Sequence, residues 1–303
     1  MRNDTKSSGF SGKTPNKKAE IAVTENTELM KFLIVQLPKK SRNNIKSLLT
    51  NKQVIVDGVP VKQFNHPLAP GQSIEIRWNR IPEEKQYRGI SIIYEDNDLV
   101  VIDKHAGMLS ISTDTRKSES AYNMLSKHVK MQGSRNKIFV IHRLDRETSG
   151  LMMFAKSEKV QQILQTNWHD IVTERTYLAV VEGKPEKAEG TITSYLRESK
   201  AFIVYSSQNP KHGHKAVTHY KLKKAGQYYS MLTVNLDSGK KNQIRVHMQD
   251  LGHPVIGDKK YGSKINPVRR LGLHSWILAF NHPINKEPLR FQTPIPSKFT
   301  RLF

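Results

Sequence analysis

One acidic side chain between two arginines dominates the chemistry legible in this chain: His142-Arg143-Leu144-Asp145-Arg146-Glu147-Thr148-Ser149-Gly150, with apolar runs on either side from Ile138 to Ile141 and from Leu151 to Ala155. A carboxylate held beside guanidinium groups is favoured in its charged form. Asp145 therefore reads as a nucleophile or base rather than an acid, although the cluster alone reads equally well as a structural ion pair. The chain has no cysteine, which excludes a thiol nucleophile, a disulfide and a thiolate zinc site. Gly-x-Ser-x-Gly, Gly-x-Gly-x-x-Gly and Walker-type segments are also missing, which removes the hydrolase elbow and the common phosphate cradles. His212 and His214 form a His-x-His without a third ligand at useful spacing, so no metal is expected.

Composition names the kind of partner. Against 27 Asp and Glu stand 49 Lys and Arg, a net charge of +22, and such an excess attracts a polyanion, nucleic acid before membrane. No apolar run approaches the ~20 residues of a membrane-spanning helix. A soluble, cytoplasmic chain is expected, and the lack of cysteine fits that location. At 303 residues the length corresponds to about two domains.

The elements that must position Asp145 can be read from periodicity. Residues 1–26 are polar and basic and are expected to form a disordered arm. Over 27–79, Leu29, Phe32, Leu33 and Leu37 follow helical spacing, Pro38 ends that helix, and Ser41 can cap a second one that turns Ile45, Leu48 and Leu49 inward. Arg42 and Lys46 are i,i+4 neighbours on its other face, a pair able to grip a phosphate backbone. Asp57-Gly58 between two valine-rich runs signals a hairpin, and Ser73 to Ile76 reads as a further strand after Pro70-Gly71. Residues 80–89 are charged and aperiodic, as a linker would be.

From residue 90 to 303 strands outnumber helices without βαβ alternation. Helices are predicted from about Ser118 to Lys130 and from Ser157 through Trp168, and strands at 92–94, 99–102, 176–181, 201–205, 216–223 and 228–236. The expected class is α+β, with a large mixed, mostly antiparallel sheet in the catalytic domain and a small α+β domain before it.

Two resemblances sharpen this reading. Ser41-Arg42, Val56-Asp57-Gly58 and Pro70-Gly71 follow the order of the S4 RNA-binding domain. His142 to Leu151 resembles the signature of the RluA/RluD-type RNA pseudouridine synthases. Arg175-Thr176-Tyr177 running to Gly183, Asn242 to His247 with Gly252 to Asp258, and Leu273-His274 with Phe280, His282 and Pro283 resemble the other segments of that family, in its order. The resemblance implies a cofactor-free isomerisation of uridine to pseudouridine in structured RNA, ribosomal RNA of the large subunit before transfer RNA; a monomer is expected. It gives the catalytic role to Asp145, the pairing arginine to Arg245 and the base-stacking tyrosine to Tyr177. Arg143 would fill the space left by the flipped base, and Leu273 would line the uracil pocket.

Departures from the family pattern fall beside the site. Asp103-Lys104-His105-Ala106-Gly107 stands where the family reads Asn-Lys-Pro-Ala-Gly, and Ser238-Gly239-Lys240-Lys241-Asn242 where it reads Thr-Gly-Arg-Thr-His. Two other classes fit some of these residues: a non-catalytic RNA-binding or ribosome-assembly protein, and a base-excising glycosidase. The latter commonly needs a second carboxylate, for which Glu147 and Glu174 are the nearest in sequence.

Overall fold

Alternating and continuous apolar runs here build two main sheets of very different size, beside one two-stranded pair. The computed structural model describes residues 18–38, 40–50, 53–77, 87–112 and 119–303, so residues 1–17 of the expected arm, 80–86 of the expected linker and Ser118 lie outside the described residues. The chain divides into two units, Met1–Glu83 and Glu84–Phe303.

The small unit runs β1 (Lys18–Ala22), β2 (Thr27–Glu28), α1 (Leu29–Gln36), α2 (Arg42–Thr50), β3 (Val54–Val56), β4 (Val59–Pro60), β5 (Pro67–Leu68) and β6 (Ser73–Arg77). An antiparallel sheet in the order β1-β6-β3-β4 carries the two helices, and β2 pairs separately with β5. Leu29, Phe32 and Leu33 from α1 and Ile45 and Leu49 from α2 pack on Val54, Val56, Ile74 and Ile76. The Ser41 hydroxyl accepts the N–H of Asn44 at 3.2 Å and caps α2. Asp57 and Gly58 both take positive φ, 47° and 81°, the twist that lets a two-residue turn join β3 to β4. Arg42 and Lys46 are both exposed on α2. The arm is shorter than expected: Lys18–Ala22 is strand β1, in register with β6 through Ile21 opposite Ile74. Five residues with charges at alternate positions leave too little pattern to betray a strand.

The large unit contains β7 (Ile90–Glu95), β8 (Leu99–Lys104), α3 (Ala121–Gln132), β9 (Phe139–Val140), β10 (Ser149–Ala155), α4 (Glu158–Thr166), α5 (Trp168–Ile171), β11 (Val172–Glu182), β12 (Glu189–Glu198), β13 (Val204–Ser207), β14 (His214–Ala225), β15 (Tyr229–Leu236), α6 (Gln243–Asp250), β16 (Leu273–Asn281), β17 (Pro288–Gln292) and α7 (Ser297–Thr300). Its sheet runs β13-β12-β14-β15-β11-β16-β10-β8-β7, with β17 beside β16 and β9 beside β10. All pairs are antiparallel except β10 with β16, so the α+β class with a mixed, mostly antiparallel sheet is observed. Among the described residues no helix is long and apolar enough to cross a membrane.

Both faces of the central strands are covered, which explains their unbroken apolar sequence. Val100, Ile102, Met152 and Phe154 pack with α3 through Leu125 and Val129. Leu99, Val101, Leu151 and Met153 pack on the opposite face with α4 through Val160 and Leu164. Ser120 caps α3 and Ser157 caps α4. Asn167 ends α4, so Trp168 begins a separate short helix instead of prolonging α4 as the spacing predicts. Strand β12 has no counterpart among the predicted strands, because its polar and small residues alternate without an apolar stripe. At the end of the expected linker, Tyr87 bridges Ile90 and its hydroxyl meets His128 Nδ1 at 2.8 Å, so Tyr87 belongs to the large unit.

The parallel join between β10 and β16 depends on Gly150. It has φ +109°, and a methyl group placed there would lie 2.1 Å from the backbone oxygen of Ser275. Gly150→Ala combines a forbidden conformation with a backbone clash and is expected to cost about 3 kcal/mol or more. For a unit of this size that is a fall of roughly 6–12 °C in melting temperature, measurable by calorimetry on the purified variant.

Candidate active site

Asp145 sits in the loop between β9 and β10, and that loop is held at successive residues. Ser110 Oγ donates to the Leu144 carbonyl at 2.6 Å and accepts the Leu144 N–H at 3.1 Å. The Asp145 carbonyl accepts the Thr148 N–H at 3.1 Å, and the Arg146 carbonyl accepts the Gly107 N–H at 2.8 Å. Lys104 is wholly buried, and its ammonium donates to the carbonyls of Met108 (2.8 Å), His105 and Arg146 (both 3.1 Å). Burial pushes this ammonium down to about 8, which leaves it charged at neutral pH and a strong donor. The loop thus fixes its backbone without being helix or strand.

The carboxylate of Asp145 meets an arginine from far along the chain. Arg245 Nη1 lies 3.3 Å from Asp145 Oδ2 and 2.9 Å from Asn242 Oδ1. Its Nε and Nη2 form a two-point bond with Asp258, at 2.6 and 2.8 Å. Asp258 is only 2% exposed, and a buried carboxylate needs such a partner. Burial opposes the charge on Arg245, but Asp258 and then Asp145 outweigh it and raise the guanidinium above its ordinary range. Tyr261 lies beneath, its ring centroid 4.8 Å from the guanidinium carbon, and the Tyr261 hydroxyl accepts from Asn242 Nδ2 at 2.8 Å. The helix bearing Arg245 is pinned to the sheet by His247, placed between Thr218 Oγ1 (2.7 Å) and Ser194 Oγ (2.9 Å), and by Gln243 on the Val217 carbonyl.

Sequence adjacency misleads at one point. The carboxylate is not gripped by Arg143 and Arg146: both are exposed, and Arg146 Nε bonds the Gly107 carbonyl and lies 3.8 Å from Glu147. Neighbours along a loop need not bring their charged tips together, whereas the α6 anchor does.

Asp145, Arg143, Tyr177, Arg245 and Leu273 line one cleft of about 470 Å³. Tyr177 and Leu273 enter it because β11 and β16 pair, with Tyr177 opposite Ser275. Burial first, and the charge of Asp145 to a smaller extent, push the Tyr177 phenol up, against the opposing effects of Arg175 and a hydrogen bond with Ser275. Tyr177 is therefore a neutral aromatic wall. Arg42 and Lys46 belong to the small unit and lie outside this cleft.

Several residues that complete the site have no role marked in the sequence. Asp258 and Asn242 hold Arg245. Trp168 joins the cleft lining with His142 at 5.2 Å between ring centroids and the Arg175 guanidinium 5.5 Å from its ring. Single polar residues in loops have no periodicity to mark them, and Trp168 was legible only as a core position. Burial holds His142 and His274 neutral, pushing each down to about 3, with an arginine nearby adding to the effect. His142 Nε2 accepts the Met153 N–H at 3.1 Å. Ser149 Oγ takes a bond from Arg270 Nη2 and so donates to His274 Nδ1, whose Nε2–H goes on to Thr293.

Among the described residues Asp145 is the only carboxylate lining the cleft. Glu147 points to Arg146, and Glu174 is held by Arg290 at 3.0 Å and by Thr176. Asp96, Asp98 and His282 also come together, but Asp96 already accepts from Tyr94 and from the N–H groups of Asp98 and Leu99. His282 Nδ1 accepts from Ile284 and Asn285. That trio is a turn-stabilising network away from the cleft. The cleft itself offers one oriented carboxylate, an aromatic wall, an apolar patch and lysines 240 and 241 at its border, a set suited to a flat ring attached to a phosphate chain.

The chain as a whole is similar to known proteins. Residues 98–250, about half of the chain, match the family model described as RNA pseudouridylate synthase. An uncharacterized RNA pseudouridine synthase of Bacillus subtilis is 35% identical over 213 residues, 70% of this chain and 75% of its own. The ribosomal large subunit pseudouridine synthase D of Haemophilus ducreyi is 28% identical and aligns over 88% of this chain and 86% of its own. The solved structure of human RNA pseudouridylate synthase domain containing 4 superposes with a TM-score of 0.58 over 70% of this chain and 90% of its own, at 22% identity, a likeness of fold.

Two outcomes follow from the geometry. Asp258→Ala leaves the Arg245 guanidinium short of its two-point partner and is expected to cost about 3–5 kcal/mol of stability, read from urea unfolding. His142 and His274 have folded values below the ordinary 6.5, so the unfolded chain binds more protons between pH 6.5 and 3. Stability is then full above 6.5 and falls on acidification through that window, at up to about 2.7 kcal/mol per pH unit for the two together. His274→Asn should remove about half of that slope between pH 6.5 and 5, in unfolding free energies measured across that range.

Proposed function

Because the chain belongs to the RNA pseudouridine synthase family and so isomerises uridine in RNA, we propose that it acts on large-subunit ribosomal RNA through Asp145, without a cofactor. The observation that carries the reading is the single cleft carboxylate, bonded to Arg245 and facing a neutral tyrosine wall. The relatives named for the large ribosomal subunit support the substrate class.

The reaction breaks the bond from ribose C1′ to uracil N1, turns the base and joins C1′ to C5. The proton lost from C5 is balanced by one gained at N1, so atoms and electrons are conserved without a donor. In this reading Asp145 attacks C1′ or removes a proton from the adjoining ribose carbon, with Arg245 fixing its direction. Tyr177 stacks on the base, and Leu273 closes the apolar side of its pocket. Extruding the base costs a few kcal/mol, and Arg143, exposed at the border of the cleft, fills the vacated stack and offsets part of it. On the small unit, Arg42 and Lys46 take phosphates, the role of an S4-like domain.

A hydrolase would want a second carboxylate to activate water, and neither Glu147 nor Glu174 lines the cleft. Pseudouridine mapping of ribosomal and transfer RNA from cells lacking the protein is expected to lose one or a few large-subunit sites. Reintroduced Asp145→Asn should leave those sites unmodified, with turnover in vitro reduced at least about 100-fold. An unaltered map, or release of free uracil, would sink the reading. Full rescue of growth and ribosome assembly by Asp145→Asn would show that binding is the function that matters.

A further inference from the structure

The hairpin between β12 and β13 carries contacts that the reaction does not use. Its tip closes through the Phe202 N–H on the Ser199 carbonyl at 2.9 Å and the Ser199 N–H on the Ile203 carbonyl at 2.8 Å. Phe202 adopts φ +58°, left-handed backbone that glycine or asparagine would take with less strain. Yet the position holds a phenylalanine whose surface is 70% exposed, beside Ile203 at 45% and Tyr205 at 42%. Neither the turn nor a core calls for that ring.

Cations surround it. The Lys241 ammonium lies 5.6 Å from the centre of the Phe202 ring and is ion-paired with Glu198. Lys260 Nζ donates to the Phe202 carbonyl at 2.6 Å. Lys241 also lines the cleft of Asp145, so this one side chain links that cleft to the hairpin tip. The hairpin is tied to the site from beneath as well, since the Val204 N–H donates to the hydroxyl of Tyr261, the residue under Arg245.

An exposed aromatic ring among lysines is the chemistry that binds unpaired nucleotides: any base can stack on the ring, and the ammonium groups take the phosphates. We propose that Phe202 is a stacking platform for an unpaired base in the RNA strand flanking the target uridine, with Lys241 and Lys260 holding that strand's phosphates. This rests on the RNA-isomerase reading and adds a contact outside the reacting atoms, one that selects substrates with an unpaired flank.

The test uses the full chain and a fluorescein-labelled oligouridine of about 12 nucleotides, followed by anisotropy. Phe202→Gly removes the ring and relaxes the turn, so its melting temperature should stay level or rise. Its dissociation constant should increase about 5- to 150-fold, the span of one lost base stack. Phe202→Trp should bind within about twofold of the parent, since stacking tolerates any aromatic ring. On the RNA that the cellular map identifies, Phe202→Gly should raise KM and leave kcat in place. Unchanged affinity in Phe202→Gly overturns the proposal, as does a loss of affinity that comes with a lower melting temperature. So does a parent dimer that Phe202→Gly dissociates while RNA affinity holds, because the patch would then be a protein contact. If the parent forms no pseudouridine in any RNA, the functional reading fails by itself. If the parent is active and Phe202→Gly binds oligouridine normally, only the platform fails.

Discussion

Arg245 divides one guanidinium between two carboxylates, and the architecture of the large unit serves that division. Nε and Nη2 are committed to Asp258, which is buried and has little access to water. Only Nη1 remains for Asp145, shared with Asn242. The buried pair fixes the plane of the guanidinium, and the plane fixes the line along which Asp145 is approached. A lysine could supply the charge but not this fork, since an ammonium has no rigid plane to share. Asn242, Tyr261 and His247 then appear as one support: they hold α6, its first turn and the face of the guanidinium against movement.

The other half of the site is a loop, and its order comes from saturation of backbone groups. Leu144, Asp145 and Arg146 have their carbonyls occupied by Ser110, Thr148, Gly107 and Lys104. Spending a fully buried lysine on three carbonyls is costly in desolvation, as its lowered value reflects. The return is a fixed carboxylate in a segment that makes no regular ladder. The interior polar groups follow the same logic, with His142 and His274 kept neutral so that each ring can both donate and accept.

What could be read from the sequence follows from how local each signal is. Helix α1 declares itself by spacing, α2 and α4 by spacing and by their serine caps, and the β3–β4 turn by Asp57-Gly58. Strands β8 and β10 were visible as apolar runs because helices cover both their faces. Strand β12, with small polar residues, and β1, with five residues, gave no comparable pattern. At the site, the segment around Asp145 stood out by charge and Arg245 by resemblance alone. Asp258 ends a segment that resembles the family, but no periodicity gives this single acid in a loop a role, and the true partner of Asp145 lies 100 residues away. Local sequence carries turns and faces well, and carries pairings across the chain hardly at all.

The parallel join of β10 and β16 governs when the site can come into being. Ser149 and His274 meet across 125 residues, and the strand delivering Leu273 docks between β11 and β10, both made long before it. Closing so long a loop is entropically unfavourable until many contacts reward it, which makes such pairings late events on a folding pathway. The hairpins of β7–β8 and β14–β15 can form early from near neighbours, while the cleft waits for the final crossing. A nascent chain that has emerged only through α6 therefore displays Asp145 and Arg245 without the pocket between them. Basic surfaces are available to RNA during synthesis, but the cleft is closed only once β16 has joined the sheet.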